Sequence, residues 1–498
     1  MRIASIVNTW LLKLGQARQS TIATFFFLLA FAIRFPFFFR DYIDRDESTF
    51  ILLGQSLVDG HLPYMELWDL KPPLIYYFFG LLIYVFGKSF IAIRLAATVL
   101  VGLTAFLTFK IARPLSNSSL ALLAGLFCIY LSSLFGSLQG LMSEHISTLI
   151  FVFALYLLLQ SQQWWKLFLS GLLFGFALMA KMNLGYALAI LVAYYIWQWI
   201  RSKPWEISIY ILITLSLGIL LGIGICALPY VAIGESALWV DAVFKAPLAY
   251  ADASQGSFLK VLPLPLFTIL FLFYAWKQNR LDLSNPRLQL VIILLFGIIF
   301  SFVRSGRING HYLLQVYPLF LIVGAAFIFT FKLEITRSAS LIIAIIMLIL
   351  PIEAYKEYAH ILVNKKTNGS WFNGEGFTVV EYIKNNDLAA ASSLFLEYHI
   401  GYWLLDAKPP SKAATHPSNI CRSETFPFYN QERKTGIEEL TFIMDEKMPQ
   451  IVVTRKNRSV FDKKYVQENE YIQQYLSQKY QVLDTIEGAV LHHRIRLP

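Results

Sequence analysis

From its first residues the chain alternates long apolar runs with short polar turns, and it keeps this pattern to about residue 355. The runs fall at Thr21–Phe39, Phe90–Ile111, Leu120–Gln139, Ile146–Gln160, Leu167–Ala180, Leu184–Ile200, Ile207–Ile233, Phe258–Trp276, Leu288–Val303, Tyr312–Phe331 and Ala339–Ile352. Most approach the roughly 17–25 apolar residues that cross a hydrocarbon core of about 30 Å. The pattern therefore predicts an all-α polytopic membrane bundle of about 11 transmembrane helices. One long polar interruption breaks it, between Phe39 and Phe90. Within that loop, Glu47 to Val58 reads as a helix of about three turns with Phe50, Leu53 and Leu57 on one face, ended by Gly60. Pro72 and Pro73 then open a second apolar segment to Phe86. It is short for a crossing, and we expect it to lie at the membrane surface or dip into it.

From Lys356 to Pro498 the pattern changes to ordinary soluble usage. TVVEYIKNN and IEELTFIMDEK read as helices, SSLFLEYHIGYWLL and QIVVTR as strands, KPPSKAATHPSN as a Pro-rich link, and YQVLDTIEGAVLHHRI as a closing strand pair. Helices alternating with strands predict a small α/β domain. The expected organisation is a transmembrane domain over 1–355 carrying a first outer loop at 41–88, followed by a C-terminal extracytoplasmic α/β domain over 356–498.

Composition supports the membrane reading: 57% of residues are hydrophobic and 15% charged, against about 25% charged in an average soluble protein. The net charge of +10 does not indicate nucleic acid, because the basic residues sit at the ends of apolar runs, where they set topology. Lys110, Arg113, Lys166, Arg201, Lys203, Lys277, Arg280, Arg287, Lys332 and Arg337 mark the cytoplasmic turns, where Glu206, Asp282 and Glu334 are the acids. The outer side collects the acids of the first loop with Glu144, Glu235, Asp241 and Asp252. An odd number of crossings puts the tail outside. Three cysteines, two of them inside apolar runs, build no disulfide framework. The first twenty residues lack a small-residue cleavage site and read as a leader to an uncleaved first span.

Three groups of residues could carry chemistry. Asp46 and Glu47 open the loop helix, where acids also serve as dipole partners; in a cavity at the membrane surface they could act as a general base or a metal ligand. Asp41 and Asp44 read as solvated. Ser143-Glu144-His145 falls on the same outer side. Glu144 and His145 beside Asp46 or Glu47 offer oxygen and nitrogen ligands for a divalent cation, the candidate cofactor. Lys71, Lys181, Arg304, Arg307 and His311 are outer-side cations that ask for an anionic partner, and phosphate suits them. Acids and cations on one face suggest a reaction in which a lipid-linked phosphate leaves while a carboxylate activates an acceptor hydroxyl.

These residues bring in a resemblance. RDESTFILLGQSLVDGHLPYMELWDLKPPLIYY resembles the first outer loop of GT-C membrane glycosyltransferases of the dolichyl-phosphate-mannose protein mannosyltransferase type, a group that includes bacterial aminoarabinose transferases acting on lipid A. The matching features are Asp46-Glu47, Pro63-Tyr64 and Lys71-Pro72, then Glu144, and later Arg307, His311, Tyr312 and Pro318. The resemblance implies a GT-C fold, a sugar donor carried on a polyprenyl phosphate, inversion at the anomeric carbon, and a lipid, glycan or protein acceptor. It implies Asp46 as base or acceptor-orienting acid, with Glu47 beside it and Glu144 as a second acid and candidate metal ligand. It further implies Lys71, Lys181, Arg304 and Arg307 as phosphate contacts, and His311, Tyr312 and Tyr64 as substrate-binding residues. The tail shows no β-trefoil-like repeat, unlike eukaryotic protein mannosyltransferases. The expected setting is a bacterial inner membrane, with membrane lipids around the bundle and the site on the extracytoplasmic side.

Two alternatives come from other classes. A lipid or solute transporter would show inverted repeats and broken helices at the midplane, whereas the ionisable residues here gather at one face. A non-catalytic assembly or receptor protein would have no use for Asp46.

Overall fold

The computed structural model describes residues 2–495 except 42–43, 135, 202–204, 254–255, 331–336, 389–390 and 431. Lys203, Lys332 and Glu334, assigned above to cytoplasmic turns, lie outside the described residues. The chain divides into two compact units.

The first unit comprises Met1–Phe37, Arg94–Cys226 and Gln255–Glu357, and its described elements are helical. Among the described residues, six helices are long and apolar enough to cross a membrane: Gln19–Phe39, Phe90–Leu115, Ser143–Gln160, Glu206–Ala232, Pro286–Ser305 and Ser338–Asn368. The other five expected crossings are shorter, at Ser118–Leu131, Trp164–Ala180, Gly185–Arg201, Pro263–Lys277 and Tyr317–Thr330. Their 14 to 17 residues extend only about 21–26 Å at 1.5 Å per residue. Local chemistry stops them early. Ser132 and Ser133 follow Leu131, Pro263 restarts a helix after Phe258–Val261, and a 3₁₀ turn over Gly310–Gln315 precedes Tyr317.

Close packing within this unit comes from small residues. Gly171 and Gly175 on the Trp164–Ala180 helix face Gly218 and Gly222 on the Trp205–Ala232 helix. A methyl group at Gly171 would meet the Leu215 carbonyl, and one at Gly175 the Ile219 carbonyl. This small-xxx-small spacing lets two backbones touch where apolar surface alone supplies little driving force.

The second unit comprises Phe38–Ile93, Ala227–Ser254 and Tyr358–Pro498, so the first outer loop groups with the tail. Helix Arg45–Val58 begins at Asp44, whose carboxylate accepts from the Asp46 backbone N–H at 2.9 Å and satisfies a first-turn donor. It packs on helix Leu74–Phe86 through Gly54, where a Cβ would lie 2.7 Å from Phe79 Cβ. Asp41 is buried, not solvated as the sequence suggested: its carboxylate accepts from the Gly376 N–H, at the start of helix Glu375–Asn385, an end that favours an anion.

A four-stranded sheet forms from β1 (Ser393–Phe395), β2 (Ile451–Arg455), β3 (Tyr480–Ile486) and β4 (Ala489–Arg494) in the order β1-β2-β4-β3. β1 and β2 are parallel, with Leu394 beside Val452, and the other two pairs are antiparallel. The long strand expected over 392–405 is cut to three residues. Tyr398 takes a left-handed φ of 53°, the chain turns into the short helix Gly401–Leu404, and the Tyr402 hydroxyl accepts from the Phe395 N–H at 2.9 Å. Helix Val466–Lys479 was not anticipated. The segment read as a Pro-rich link is instead part of the core, with its Ala413 and Ala414, and Ile420 and Cys421 directly after it, buried among Leu394, Val452, Leu440 and Ile472. Parallel strands need a long crossover, and this one carries the link inward.

Candidate active site

In the second unit the site grows from the start of helix Arg45–Val58. The Asp46 carboxylate lies 3.1 Å from the Lys71 ammonium. Its other oxygen is 3.8 Å from His416 Nε2. Because His416 Nδ1 accepts from the Ser418 backbone N–H at 3.0 Å, the ring proton sits on Nε2, facing Asp46. Burial, aided by the nearby Arg422, His399 and Arg45, holds the His416 pKa well below the usual histidine value, against the pull of Asp46. The imidazole is therefore neutral at physiological pH.

A second histidine backs the first, with ring centroids 5.6 Å apart. His399 Nε2 donates to the Arg45 carbonyl at 3.0 Å and lies 3.1 Å from the Thr49 hydroxyl. Burial, with the Arg45 cation beside it, lowers its pKa to about 3. Arg45 itself pairs with the buried Glu397. These contacts tie the first turn of the helix to the segment after β1.

Lys71 is placed by an aromatic cluster. Tyr64 is fully buried with a left-handed φ of 71°, a conformation that a non-glycine residue holds only when its surroundings enforce it. Trp68, Tyr76 and Tyr230 rings pack within 6.1 Å of it, and its hydroxyl donates to the Lys71 carbonyl at 2.6 Å. Through this bond Tyr64 fixes the turn that presents Lys71. Glu47 is also buried, at 2% exposure, whereas Asp46 is partly open at 26% for its side chain. Exposure separates the two adjacent acids.

The buried link adds residues that sequence reasoning missed: His416, Asn419, Arg422 and, from the following turns, Tyr429. The Trp68 N–H donates to the Lys412 carbonyl at 3.0 Å, and the Trp68 ring stacks on Tyr429 at 4.4 Å. Asp69 accepts from the Tyr76 hydroxyl at 3.0 Å and lies 3.4 Å from the Asn419 amide. Arg422 donates to Asn419 at 2.7 Å and rests over the Tyr250 ring at 4.9 Å. Their only sequence signal was the run of Pro, His and Asn, which equally describes a surface link.

The first unit holds a second polar cluster at the start of the Ser143–Gln160 helix. Glu144 is buried and paired with Lys181, and it accepts from the Ser143 hydroxyl at 2.8 Å. His311 Nε2 stands 3.9 Å from the same carboxylate. Lys181 lies over the Tyr312 ring at 4.9 Å, and that ring meets His311 edge-on. Arg34 holds the turn before the helix, donating to the carbonyls of Leu138, Gln139 and Gly140 at 2.7–2.9 Å. Asn183, two residues after Lys181, bonds Gln315 at 2.8 Å and Ser301 at 3.1 Å. Glu144, Lys181, His311 and Tyr312 thus lie together in this unit. Arg304 is exposed near the end of the Pro286–Ser305 helix, and Arg307 is half-buried beyond the left-handed Gly306 cap.

The expected metal set does not fit these positions. Among the described residues no group of three His, Cys, Asp or Glu side chains gathers as metal ligands do. Glu144 is engaged by Lys181 and Ser143, and His145 Nδ1 accepts from the Met142 N–H at 3.1 Å, which leaves the proton on Nε2, where a metal would have to bind.

The fold is that of GT-C membrane glycosyltransferases. The structure is similar to that of ArnT from Cupriavidus metallidurans bound to undecaprenyl phosphate, with a TM-score of 0.60 and 13% identity over 96% of this chain and 97% of that one. The apo form of the same enzyme gives 0.61, again at 13% identity, over 95% and 97%. An Archaeoglobus fulgidus oligosaccharyltransferase tethered to an acceptor peptide overlaps more loosely, with a TM-score of 0.48 and 10% identity over 88% of this chain and 69% of that one. No protein of curated function matches the sequence. Residues 70–223 match the family described as dolichyl-phosphate-mannose-protein mannosyltransferase. The described helices of spanning length mark an integral-membrane protein, and the match over residues 70–223 together with the GT-C fold makes the chain similar to glycosyltransferases; the transporter alternative is not favoured.

Proposed function

We propose that the protein transfers a sugar from a polyprenyl-phosphate donor to a hydroxyl of a lipid, glycan or protein acceptor, at the extracytoplasmic face of a bacterial inner membrane. The ArnT structure that shares the fold is bound to undecaprenyl phosphate, which supports the donor class. In the proposed step the acceptor oxygen bonds to the anomeric carbon as the bond from that carbon to the phosphate oxygen breaks. The electron pair leaves with the polyprenyl phosphate, the configuration inverts, and the acceptor proton passes to Asp46.

The observation that carries this reading is the placement of Asp46 between Lys71 at 3.1 Å and the Nε2–H of His416 at 3.8 Å. An oxygen at ordinary hydrogen-bond distance from both Asp46 and His416, about 2.8 Å, closes a triangle over the 3.8 Å gap. A hydroxyl held there donates to the carboxylate and accepts from the neutral imidazole. Lys71, on the other carboxylate oxygen, is the cation available to a leaving phosphate. Lys181, Arg304 and Arg307 are the further candidates for donor-phosphate contact.

Purified Asp46→Asn protein, given a polyprenyl-phosphate sugar and acceptor, is expected to lose about 10²- to 10⁴-fold in transfer rate, the usual contribution of a placed base, with its melting temperature preserved. Full activity in this variant would remove Asp46 from the role. Mass spectrometry of envelope lipids and glycans from cells with and without the protein names the sugar and the acceptor.

A further inference from the structure

We infer that the second unit carries a saccharide-binding cleft separate from the Asp46 cluster. The cleft has a volume of about 900 Å³ and includes none of Asp46, Lys71, His399 or His416 in its lining. That volume lies near the top of the 300–1,000 Å³ range of ligand pockets, roomy enough for more than one sugar ring. Its walls come from residues 88–91, the end of helix Ile352–Asn368, the turn after it, and helix Glu375–Asn385.

Charge and polarity point to the ligand class. Arg40, Lys88 and Lys384 line the cleft together with Glu375, Glu381 and Glu487. Three cations against three carboxylates give no net pull on a polyphosphate or an anionic headgroup. The remaining polar lining is rich in amides and hydroxyls, including Asn364, Asn368, Asn373, Ser370 and Thr378. Asn364 Nδ2 donates to the Ser370 and Phe372 carbonyls and Asn368 Nδ2 to Asn364 Oδ1; the donors and acceptors left over exchange hydrogen bonds with ligand hydroxyls in both directions.

Asn373 sharpens the assignment. Its backbone is pinned on both sides, its N–H donating to the Phe39 carbonyl at 2.9 Å and its carbonyl accepting from the Asp41 N–H at 3.2 Å. The side chain is 4% exposed, and its Oδ1 has no hydrogen-bond partner among the described residues. A fixed acceptor without a donor is costly, and a ligand hydroxyl would satisfy it. Beside it Phe377 meets Phe90 and Phe372 edge-on at 5.4 and 5.2 Å, and Phe372 keeps 40% of its surface exposed. Aromatic surface beside convergent amides suits the apolar C–H face and the hydroxyl rim of a pyranose ring. The cleft binds an uncharged oligosaccharide; that this saccharide is part of the acceptor rests on the transferase reading.

The test is titration calorimetry of the full-length protein in detergent with maltotriose, chitotriose and mannotriose, alongside inorganic phosphate and anionic phospholipid vesicles. At least one trisaccharide is expected to bind, with affinity about tenfold lower in Phe372→Ala and in Asn373→Leu, the exposed Phe372 guarding against misfolding of the buried variant. Asp46→Asn should bind it unchanged even where transfer is abolished, which keeps failure of the cleft distinct from failure of the transferase. Binding of none of the trisaccharides, equal binding in both cleft variants, or binding of the phosphate or vesicles alone overturns the inference.

Discussion

Glu144 illustrates how single residues carry the energetics here. Its side chain is 1% exposed, and Lys181 at 12% lies against it. Two charges out of water are tolerated only as a pair, and removing one partner from such a pair typically costs about 3–5 kcal/mol because the other is left uncompensated. We expect Lys181→Met to lower the melting temperature of the purified protein in detergent, with a loss of about 3 kcal/mol. Adding Glu144→Gln should recover most of it, since the orphaned charge is then gone. A single variant as stable as the parent would mean that Glu144 has other compensation. Both residues were legible in the sequence as ionisable groups among apolar neighbours. His416 was not, because a histidine between Thr415 and Pro417 has no periodic neighbours to mark it as buried.

At the scale of elements, the two glycine pairs between helices Trp164–Ala180 and Trp205–Ala232 set the closest approach in the first unit. Gly175→Leu puts a side chain where the Ile219 carbonyl and Gly222 already stand. The helices must then separate, with an overpacking cost of about 1–3 kcal/mol or more, and we expect a lower melting temperature and faster proteolysis in this unit. Gly224→Leu serves as the control, because nothing lies within 4 Å of a Cβ there. Equal behaviour of the two variants would show that the glycine contact carries no weight. Hydropathy located these helices well, since burial in lipid depends on composition summed over a window. It overran three of their ends, at Gln139, Phe258 and Tyr312, and lengthened β1, because a 3₁₀ turn or a left-handed tyrosine depends on contacts that composition does not report.

For the molecule as a whole, the two buried histidines couple the second unit to pH. In the unfolded chain each titrates near pH 6.5, whereas folded His399 titrates at about 3 and His416 well below its usual value. The folded state thus binds fewer protons, and stability falls as pH drops below about 6.5, continuing toward about 3 for His399. Between pH 6.5 and 5 the cost reaches up to about 2 kcal/mol per histidine. Above pH 7 the two residues make no difference. Thermal unfolding followed over pH 5–8 should show this slope, and a His399→Asn, His416→Asn double variant should flatten it; an unchanged slope would assign acid sensitivity elsewhere.

The sequence by itself determined the class. Apolar runs of spanning length, a basic bias at one set of turns, and the Asp46-Glu47 to Lys71-Pro72 loop are local patterns, and the solvent each segment requires is written in its own composition. The tertiary structure decided which acid is open and which is buried, that Tyr64 holds Lys71 by its backbone, and that a segment read as a surface link brings His416 to Asp46. The Tyr64 contact spans seven residues and rests on a strained turn, whereas the meeting of His416 and Asp46 joins residues hundreds of positions apart. That meeting becomes visible only when the parallel strands β1 and β2 force the chain between them to cross over and fold inward beside the loop helix.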